Sequence, residues 1–410
     1  MLHYLNTIFL DNVDKVHSIH TFINNVGISV KFSDGFQYIV SIENAKLRVF
    51  RVVQSTGVTS LVSTLTADVD SNAIPFDDEY INEYSFAQSG NTMWICHTLF
   101  KPRLLVRTSA TAFQLEVKVF DTLTSGSTVT DTFQPYYPFQ DTGVTLAVNA
   151  TAAGTGKTLT TSASYFVSDH VGTRIKYGNS EILITAVTNG TTATGTILKV
   201  LQQTLINNAF RTASGSAVIE VTHIAHGFVG GETIVISDAA TVGGISTSNL
   251  NNSEAILAII DENTYTFTAN GSANASEDGG GASIKITTGA ATLDWQEQTF
   301  SSLRGFPTAV TFHENRLVFG GTSSQPDAIW MSKTNAYWNF DVGTANDSDS
   351  IQLIAATGEV NEIRHLVSNR DLQIFTASNE LFVPTYLGNA ITPTNAQLRK
   401  QTPYGSTWIR

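Results

Sequence analysis

The chain has 410 residues and a mass of 44.2 kDa, and 42% of its residues are hydrophobic whereas 14% are charged. Its 23 Lys and Arg residues stand against 35 Asp and Glu, so the net charge is −12. The length and apolar fraction exclude intrinsic disorder as the main state and predict about two to four domains. The acidic balance argues against a dedicated DNA-binding protein, which would need clustered Lys and Arg.

A single cysteine, Cys96, excludes an internal disulfide framework and a thiolate metal cluster. It lies in an apolar strand pattern, so we expect a core residue rather than a reactive thiol. No apolar run approaches the length that a bilayer requires, so we expect no membrane-spanning segment. The first residues lack the basic and apolar regions of a secretion signal.

Short runs of alternating apolar and polar residues dominate the chain, and this period of two predicts strands. Four stretches read as a strand, a short polar or Pro-containing turn and a second strand: Gln37–Val52, Thr92–Thr108, Arg316–Ser332 and Leu372–Thr385. Recurring antiparallel hairpins build both β-propellers and β-sandwiches, so the pattern alone leaves these two architectures open.

The middle of the chain changes in character, first to a segment rich in Thr, Ala and Gly and then to a second β-rich segment with a triple-glycine turn. We therefore predict an all-β protein in which a split β-propeller-like domain carries two small inserted β-barrel modules. The expected parts are 1–140 and 291–410 for the split domain, and 141–205 and 206–290 for the two modules.

Two motifs resemble ligand sites but depart from them. The run Ala153–Thr158 ends in Gly-Thr-Gly-Lys-Thr, but Thr151 stands where a phosphate loop needs its first Gly and no helical pattern follows, so a flexible turn is the better interpretation. His223 and His226 have the spacing i, i+3, which on the strand predicted here points the two side chains to opposite faces. We expect a turn there rather than a metal site.

Carboxylate pairs leave one enzymatic hypothesis open, because glycosidases use two carboxyl groups about 5 Å or more apart. Adjacent acids in polar loops are more often solvated turn residues, so we expect no catalytic, cofactor-binding or metal-binding residues. The pairs are Asp77-Asp78-Glu79, Asp261-Glu262, Glu277-Asp278 and Asp347 with Asp349.

The most specific pattern lies at Arg304–Phe340, which resembles the signature stretch of podovirus tail tubular protein B, the tail nozzle of short-tailed bacteriophages. The stretch contains a Gly-aromatic-Pro element, an Arg-Leu-x-Phe-Gly-Gly-Thr strand end, a Pro-x-x-Ile-Trp strand and a Tyr-x-Asn-Phe segment. These elements are Gly305–Pro307, Arg316–Thr322, Pro326–Trp330 and Tyr337–Phe340.

Flanking segments extend the resemblance over most of the outer β-domain. Upstream, Tyr84–Arg107 is similar to the family's segment that ends in Pro-x-x-Leu-x-Arg. Downstream, Ile391–Asn395 and Tyr404–Ser406 are similar to its Leu-Thr-Pro and Tyr-Gly-Ser elements. Family members usually start with a further Gly-rich segment and continue past Tyr-Gly-Ser, so we expect either a fragment or one part of a nozzle divided between chains.

The resemblance implies a structural virion protein without enzymatic activity, made in the host cytoplasm and located in the viral tail. It implies a homo-oligomeric ring, hexameric in the family, that retains the genome and channels DNA during ejection. The implied partners are a tail adaptor protein, tail fibres and duplex DNA in transient, non-specific passage; no cofactor is implied. The alternative is a carbohydrate-binding or carbohydrate-cleaving tail protein, in which Trp94, Trp295, Trp330 and Trp338 would stack on sugars.

Overall fold

The fold is known from a computed structural model, and the side chain of Asp78, one of the carboxylates named above, lies outside its described residues. The described residues are 18–20, 36–53, 56–80, 82–117, 120–125, 128–140, 143–178, 180–224, 226, 228, 230–343, 345–355, 361–385 and 390–408.

The described residues form 33 strands, two single-turn 3-10 helices (Asp78–Tyr80 and Ser168–His170) and one four-residue α-helix, α1 (Thr247–Leu250). Every strand pair is antiparallel. The all-β class expected from the sequence is therefore confirmed. None of the helices in this part of the chain is long and apolar enough to cross a membrane.

The chain divides into two compact units: unit 1 contains residues 1–121 and 300–410, and unit 2 contains residues 122–299. Unit 1 begins with two four-stranded sheets, each a simple meander of neighbouring strands. The first sheet contains β1 (Ser18–His20), β2 (Phe36–Glu43), β3 (Lys46–Val53) and β4 (Thr59–Leu65), and the second contains β5 (Ser85–Ser89), β6 (Thr92–His97), β7 (Phe100–Arg107) and β8 (Phe113–Val117).

Unit 2 contains a two-stranded ribbon, a seven-stranded sheet in the order β11-β25-β14-β15-β16-β13-β12, and an eight-stranded sheet in the order β17-β24-β20-β21-β22-β19-β18-β23. Its strands are β9 (Thr122–Ser125), β10 (Thr128–Thr132), β11 (Tyr136–Tyr137), β12 (Leu146–Val148), β13 (Gly154–Thr161), β14 (Arg174–Tyr177), β15 (Ser180–Asn189), β16 (Thr192–Ile197), β17 (Gln202–Thr204), β18 (Phe210–Arg211), β19 (Val218–Thr222), β20 (Thr233–Ser237), β21 (Ser253–Asp261), β22 (Thr264–Thr268), β23 (Asp278–Gly279), β24 (Lys285–Thr287) and β25 (Trp295–Gln298).

The second half of unit 1 repeats the four-stranded meander twice. The third sheet contains β26 (Ala309–His313), β27 (Arg316–Gly320), β28 (Ala328–Met331) and β29 (Ile351–Ile354), and the fourth contains β30 (Ile363–Ser368), β31 (Leu372–Thr376), β32 (Glu380–Val383) and β33 (Arg399–Thr402).

Each of the four predicted hairpins is present, one in every sheet of unit 1: β2–β3, β6–β7, β27–β28 and β31–β32. Three separate cores join the sheets in chain order, the first sheet to the second, the second to the third and the third to the fourth. Among the described residues no core joins the fourth sheet back to the first. A closed propeller therefore stays a prediction, whereas the row of four meanders is observed.

The second and third sheets lie between two cores each, and their strands are apolar on both faces for this reason. In β6, Met93 packs towards the first sheet while Trp94 packs towards the third. In β27, Val318 packs towards the fourth sheet while Phe319 packs towards the second. A strand buried on both faces reads as a continuous hydrophobic run, which is the pattern of MWIC and LVF in the sequence.

The inserted segment differs from the expected boundaries. We assigned 1–140 and 291–410 to the outer domain, but β11 pairs with β25, and β25 pairs in turn with β14. β11 and β25, which lie towards the two ends of unit 2 in the sequence, are therefore neighbouring strands of the seven-stranded sheet. Neither large sheet closes on itself in its described residues, so the expected barrels are open sheets with their own cores.

Two adjacent glycines allow the third and fourth sheets to approach. A Cβ on Gly320 would stand 3.0 Å from Ile363 Cγ2, and a Cβ on Gly321 would stand 2.6 Å from Thr308 Oγ1 and 3.0 Å from the Pro326 carbonyl oxygen. Gly321 also has a φ of +62°, which a side chain disfavours. Both positions therefore require glycine because there is no room for a Cβ, and Gly321 also requires it because of its positive φ.

We predict that Gly321→Ala lowers the free energy of unfolding of unit 1 by about 2–4 kcal/mol, because the methyl group adds a clash to the backbone strain. Gly90→Ala is the matched control: Gly90 has a φ of +55° and nothing within 4 Å of its added Cβ. It should cost only about 1 kcal/mol. Urea unfolding of both variants measures the difference, and equal losses would refute the steric argument.

Candidate functional site

The signature stretch of the sequence forms the third sheet and the loops around it. β26, β27 and β28 all fall inside Arg304–Phe340, and the five residues of β27 are all buried. The aromatic residues of the signature stretch face the core that the third sheet shares with the second sheet. They include Phe306, Phe319, Trp330, Trp338 and Phe340.

Arg316 is the charged centre of this region. Its side chain is 2% exposed, and its guanidinium donates hydrogen bonds to the carbonyl oxygens of Ser332 at 2.7 Å, Asp347 at 2.7 Å and Asp349 at 2.6 Å. Burial lowers the pKa of Arg316, while Glu314 and Asp349 oppose that shift. A five-donor planar group satisfies several carbonyls at once, so Arg316 holds the loop that leads into β29.

A second polar group ties the same loop. Lys333 Nζ lies 3.1 Å from Asp341 Oδ2 and 3.1 Å from Asp349 Oδ1, and Asp349 Oδ2 accepts the backbone N–H of Asn346 at 2.9 Å. Burial disfavours the ammonium, but the two carboxylates outweigh it and raise the pKa of Lys333. The carboxylate of Asp349 is therefore engaged in the loop, and the main-chain carbonyl of Asp347 accepts a hydrogen bond from Arg316.

The Tyr-Gly-Ser element is hydrogen-bonded to the fourth sheet. The Ser406 N–H donates to the Thr376 carbonyl at 2.8 Å, and Arg364 donates to the Ser406 carbonyl. A Cβ on Gly405 would stand 2.0 Å from the Ala377 carbonyl oxygen, so only glycine fits. Tyr404 is left 72% exposed. The element therefore has a packing role and presents one aromatic side chain to solvent.

His223 and His226 of unit 2 are buried together, which corrects the expectation that they point to opposite faces. β19 ends at Thr222, so the strand geometry does not reach either residue. His226 Nε2 donates to the Asp261 carbonyl at 2.9 Å, and its Nδ1 accepts the Phe228 N–H at 2.9 Å. Both ring nitrogens are engaged with the main chain, so His226 has a structural role.

His223 packs beside it, with Nδ1 3.4 Å from Tyr265 Oη. Burial, reinforced by the neighbouring His226, lowers the pKa of His223 to about 4. The imidazole is therefore neutral near pH 7, and charging it in the folded state is costly. In the described part of the chain no three His, Cys, Asp or Glu residues gather as metal ligands.

The other carboxylate pairs serve turns. Asp77 Oδ1 accepts the Glu79 N–H at 2.9 Å, Asp261 Oδ1 accepts the Asn263 N–H at 2.8 Å, and Glu277 Oε1 accepts the Gly243 N–H at 2.5 Å. The contacts of Asp77 and Asp261 are local side-chain to backbone contacts of the kind that shape turns. Glu277 instead joins two segments that lie 34 positions apart.

The glycine-rich run at Ala153–Thr158 is not the turn that we expected. Gly154–Thr161 forms β13, which pairs with β12 and β16, with a bulge between Gly154 and Lys157. Both Gly154 and Gly156 have positive φ, as bulges allow. Cys96 lies in the core as expected, and burial raises the pKa of its thiol.

Sequence reasoning missed a buried polar cluster in unit 2. Tyr165 donates to Glu297 Oε2 at 2.5 Å, and His170 Nε2 lies 3.4 Å from the same oxygen. His170 Nδ1 accepts the Val167 N–H at 3.0 Å, which places its proton on Nε2. Glu297 lies 132 positions after Tyr165, so no local spacing reveals the whole cluster. They tie the 3-10 turn to β25.

No protein-family model and no curated protein matches the chain. Among solved structures, Phage phi92 endosialidase aligns with 94% of this chain at 10% identity and a TM-score of 0.19. The uncharacterized protein lmo1340 from Listeria monocytogenes EGD-e aligns with 96% of this chain and 85% of its own length, at 7% identity and a TM-score of 0.17. The chain spans 57% of the endosialidase's length. At these TM-scores neither alignment carries an argument.

We predict that Arg316→Met lowers the free energy of unfolding of unit 1 by about 3–5 kcal/mol, because it leaves three buried carbonyls without their donor. Arg316→Lys should cost nearly as much, since one ammonium cannot reproduce the fork. Arg370→Met is the control, because Arg370 is 85% exposed and pairs with Asp371 at 2.8 Å; it should change stability by less than about 1 kcal/mol. Denaturant unfolding compares the free energies of unfolding of the three variants. If Arg316→Met is as stable as the wild type, Arg316 does not hold the loop that leads into β29.

We predict that the stability of unit 2 falls between pH 6.5 and pH 4. The folded pKa of His223 is about 4, below its ordinary value of 6.5, so the unfolded chain binds the proton first and stability is lost as pH falls. The loss is at most about 3 kcal/mol. His223→Phe should flatten this part of the pH profile, whereas Tyr265→Phe, which keeps the imidazole, should not. Thermal melts from pH 7 to pH 4 measure this loss of stability. If the pH profile of His223→Phe equals that of the wild type, a group other than His223 causes the loss.

Proposed function

We propose that the protein is a non-enzymatic virion component, a tail nozzle subunit that forms part of the distal conduit of a short phage tail. One observation carries the proposal: the signature stretch Arg304–Phe340 supplies the third sheet, which is buried on both faces between the second and fourth sheets. The residues behind the resemblance therefore form a sheet packed between two hydrophobic cores, which supports a scaffold role. A conduit subunit needs such a scaffold.

The charge of the chain supports the same proposal. A conduit must let duplex DNA slide, and contacts from many Lys and Arg would hold phosphates tightly through counterion release. A net charge of −12 disfavours such contacts. In the proposed role, copies of the chain form a ring, hexameric as in the family, that docks on an adaptor protein and carries fibres.

The glycan-binding alternative gains no support from the tryptophans. Trp94, Trp295, Trp330 and Trp338 are 1–9% exposed, and each belongs to a core cluster. Sugar stacking requires an accessible ring face, so these residues cannot serve it without unfolding the cores. The alternative would need other residues.

The proposal predicts that the chain lies at the distal end of a short tail. Immunogold electron microscopy of phage particles from the source lysate, with an antibody against this chain, tests it directly. Gold at the tail tip is the expected result. Gold on peripheral spikes would favour the glycan-binding alternative, and particles without gold would overturn the virion assignment.

A further inference from the structure

Negative charge is concentrated in the second part of unit 2. Residues 206–290 contain eight Asp and Glu but only two Lys and Arg, Arg211 and Lys285, so their net charge is −6, half of that of the whole chain. Both cations are engaged: Arg211 lies 3.8 Å from Asp278, and Lys285 lies 2.7 Å from Asp238. Carboxylates therefore outnumber cations by six in this segment.

Three of these acids border the surface of a sheet on the side opposite its core. The strand register aligns Glu220, Thr266 and Ala258 in one row across β19, β22 and β21, on the face opposite the core. The next row of the same face ends at Asp261, and Glu262 follows it directly. The face therefore carries a central stripe of threonines with carboxylates at its borders.

Two bulges turn large aliphatic side chains onto this surface. The register of β21 shifts between Ile256 and Ala258 and again between Ile259 and Asp261. The extra residues, Leu257 and Ile260, are 58% and 53% exposed. Bulges re-aim side chains and are local features of sequence rather than defects. Together with Glu220 and Glu262, these two side chains define what we call the acidic face.

The fourth sheet of unit 1 has the opposite character. Residues 361–410 contain five Lys and Arg against three Asp and Glu, a net charge of +2. Its edge strand β33 exposes Arg399 and Lys400, and Tyr404 follows at 72% exposure. Tyr and Arg are the residue types enriched in protein interfaces. We call Arg399, Lys400 and Tyr404 the basic edge.

We propose that the acidic face of one copy of this chain docks on the basic edge of a second copy. The argument is charge complementarity between two surfaces that each carry exposed apolar area: Leu257 and Ile260 on one, Tyr404 on the other. Because the two surfaces differ, the contact is heterologous, and repetition generates a ring or a filament rather than an isologous dimer. This inference rests on the homo-oligomeric part of the proposed function.

The test exchanges the charges. Glu220→Lys with Glu262→Lys gives a face-swapped chain, and Arg399→Glu with Lys400→Glu gives an edge-swapped chain. In each variant alone the two surfaces carry the same sign, so we expect self-association to weaken at least about tenfold. An equimolar mixture offers opposite signs at every contact, and association should return. Asp70→Lys with Glu79→Lys, and Lys101→Glu, are controls at exposed positions of unit 1 and should associate like the wild type.

Sedimentation velocity over a range of concentrations is the measurement, and circular dichroism verifies that each variant is folded. The wild type should associate at about 10 mM salt, where the Debye length is about 30 Å. It should dissociate at about 1 M salt, because the Debye length is then only about 3 Å and the attraction between the charges is screened. Leu257→Ser should weaken association, whereas Leu61→Ser, at the 53% exposed Leu61 of the first sheet, should not.

A wild type that stays monomeric at every concentration and salt overturns the docking proposal, as does a mixture that fails to associate or swapped variants that associate normally. Gold labelling of the tail tip is independent of these results. A monomeric chain that is nevertheless found at the tail tip would remove the docking inference and leave the nozzle proposal standing. Association without tail labelling would overturn the nozzle proposal and leave the docking inference standing.

Discussion

The structure of unit 1 depends on the burial of its second and third sheets on both faces. A strand with a core on either side has no solvent face for polar groups, so its side chains are mainly apolar, and a buried polar atom without a hydrogen bond carries a free-energy cost. Trp94 and Trp330 fill the space between the two sheets, while Met93 and Ile329 face the outer cores. Removal of either middle sheet would expose the faces of both neighbours.

Arg316 shows how a charge is accommodated under this constraint. It stands at the start of a strand with no exposed residue, and its guanidinium is satisfied by main-chain carbonyls rather than by one carboxylate. A single ion pair in such a place would carry a desolvation penalty that the attraction barely repays. Gly320 and Gly321 satisfy the same packing constraint because they have no side chain. A Cβ at either position would clash with neighbouring atoms where the third sheet packs against the fourth.

The sequence allowed the hairpins to be predicted because strand alternation, turn residues and doubly apolar runs are local signals. It did not reveal what depends on distant pairing. The seam between β11 and β25 joins Tyr136 and Tyr137 to residues more than 150 positions away, so the boundaries were misplaced. His223 and His226 meet because the chain turns just after β19, and the bulges that expose Leu257 and Ile260 follow from register. The cluster of Tyr165, His170 and Glu297 also depends on a distant residue, because Glu297 lies 132 positions after Tyr165.

The seam also bears on how the chain folds. The two halves of unit 1 are separated by residues 122–299, and closing so long a loop costs about 4–5 kcal/mol of chain entropy if unit 2 is unstructured. Once β11 has paired with β25, with the Thr299 N–H donating to the Pro135 carbonyl at 2.9 Å, residues 135–137 lie beside residues 297–299. When unit 2 folds first, this pairing shortens the open loop between the two halves of unit 1, and the chain entropy lost on closing that loop falls.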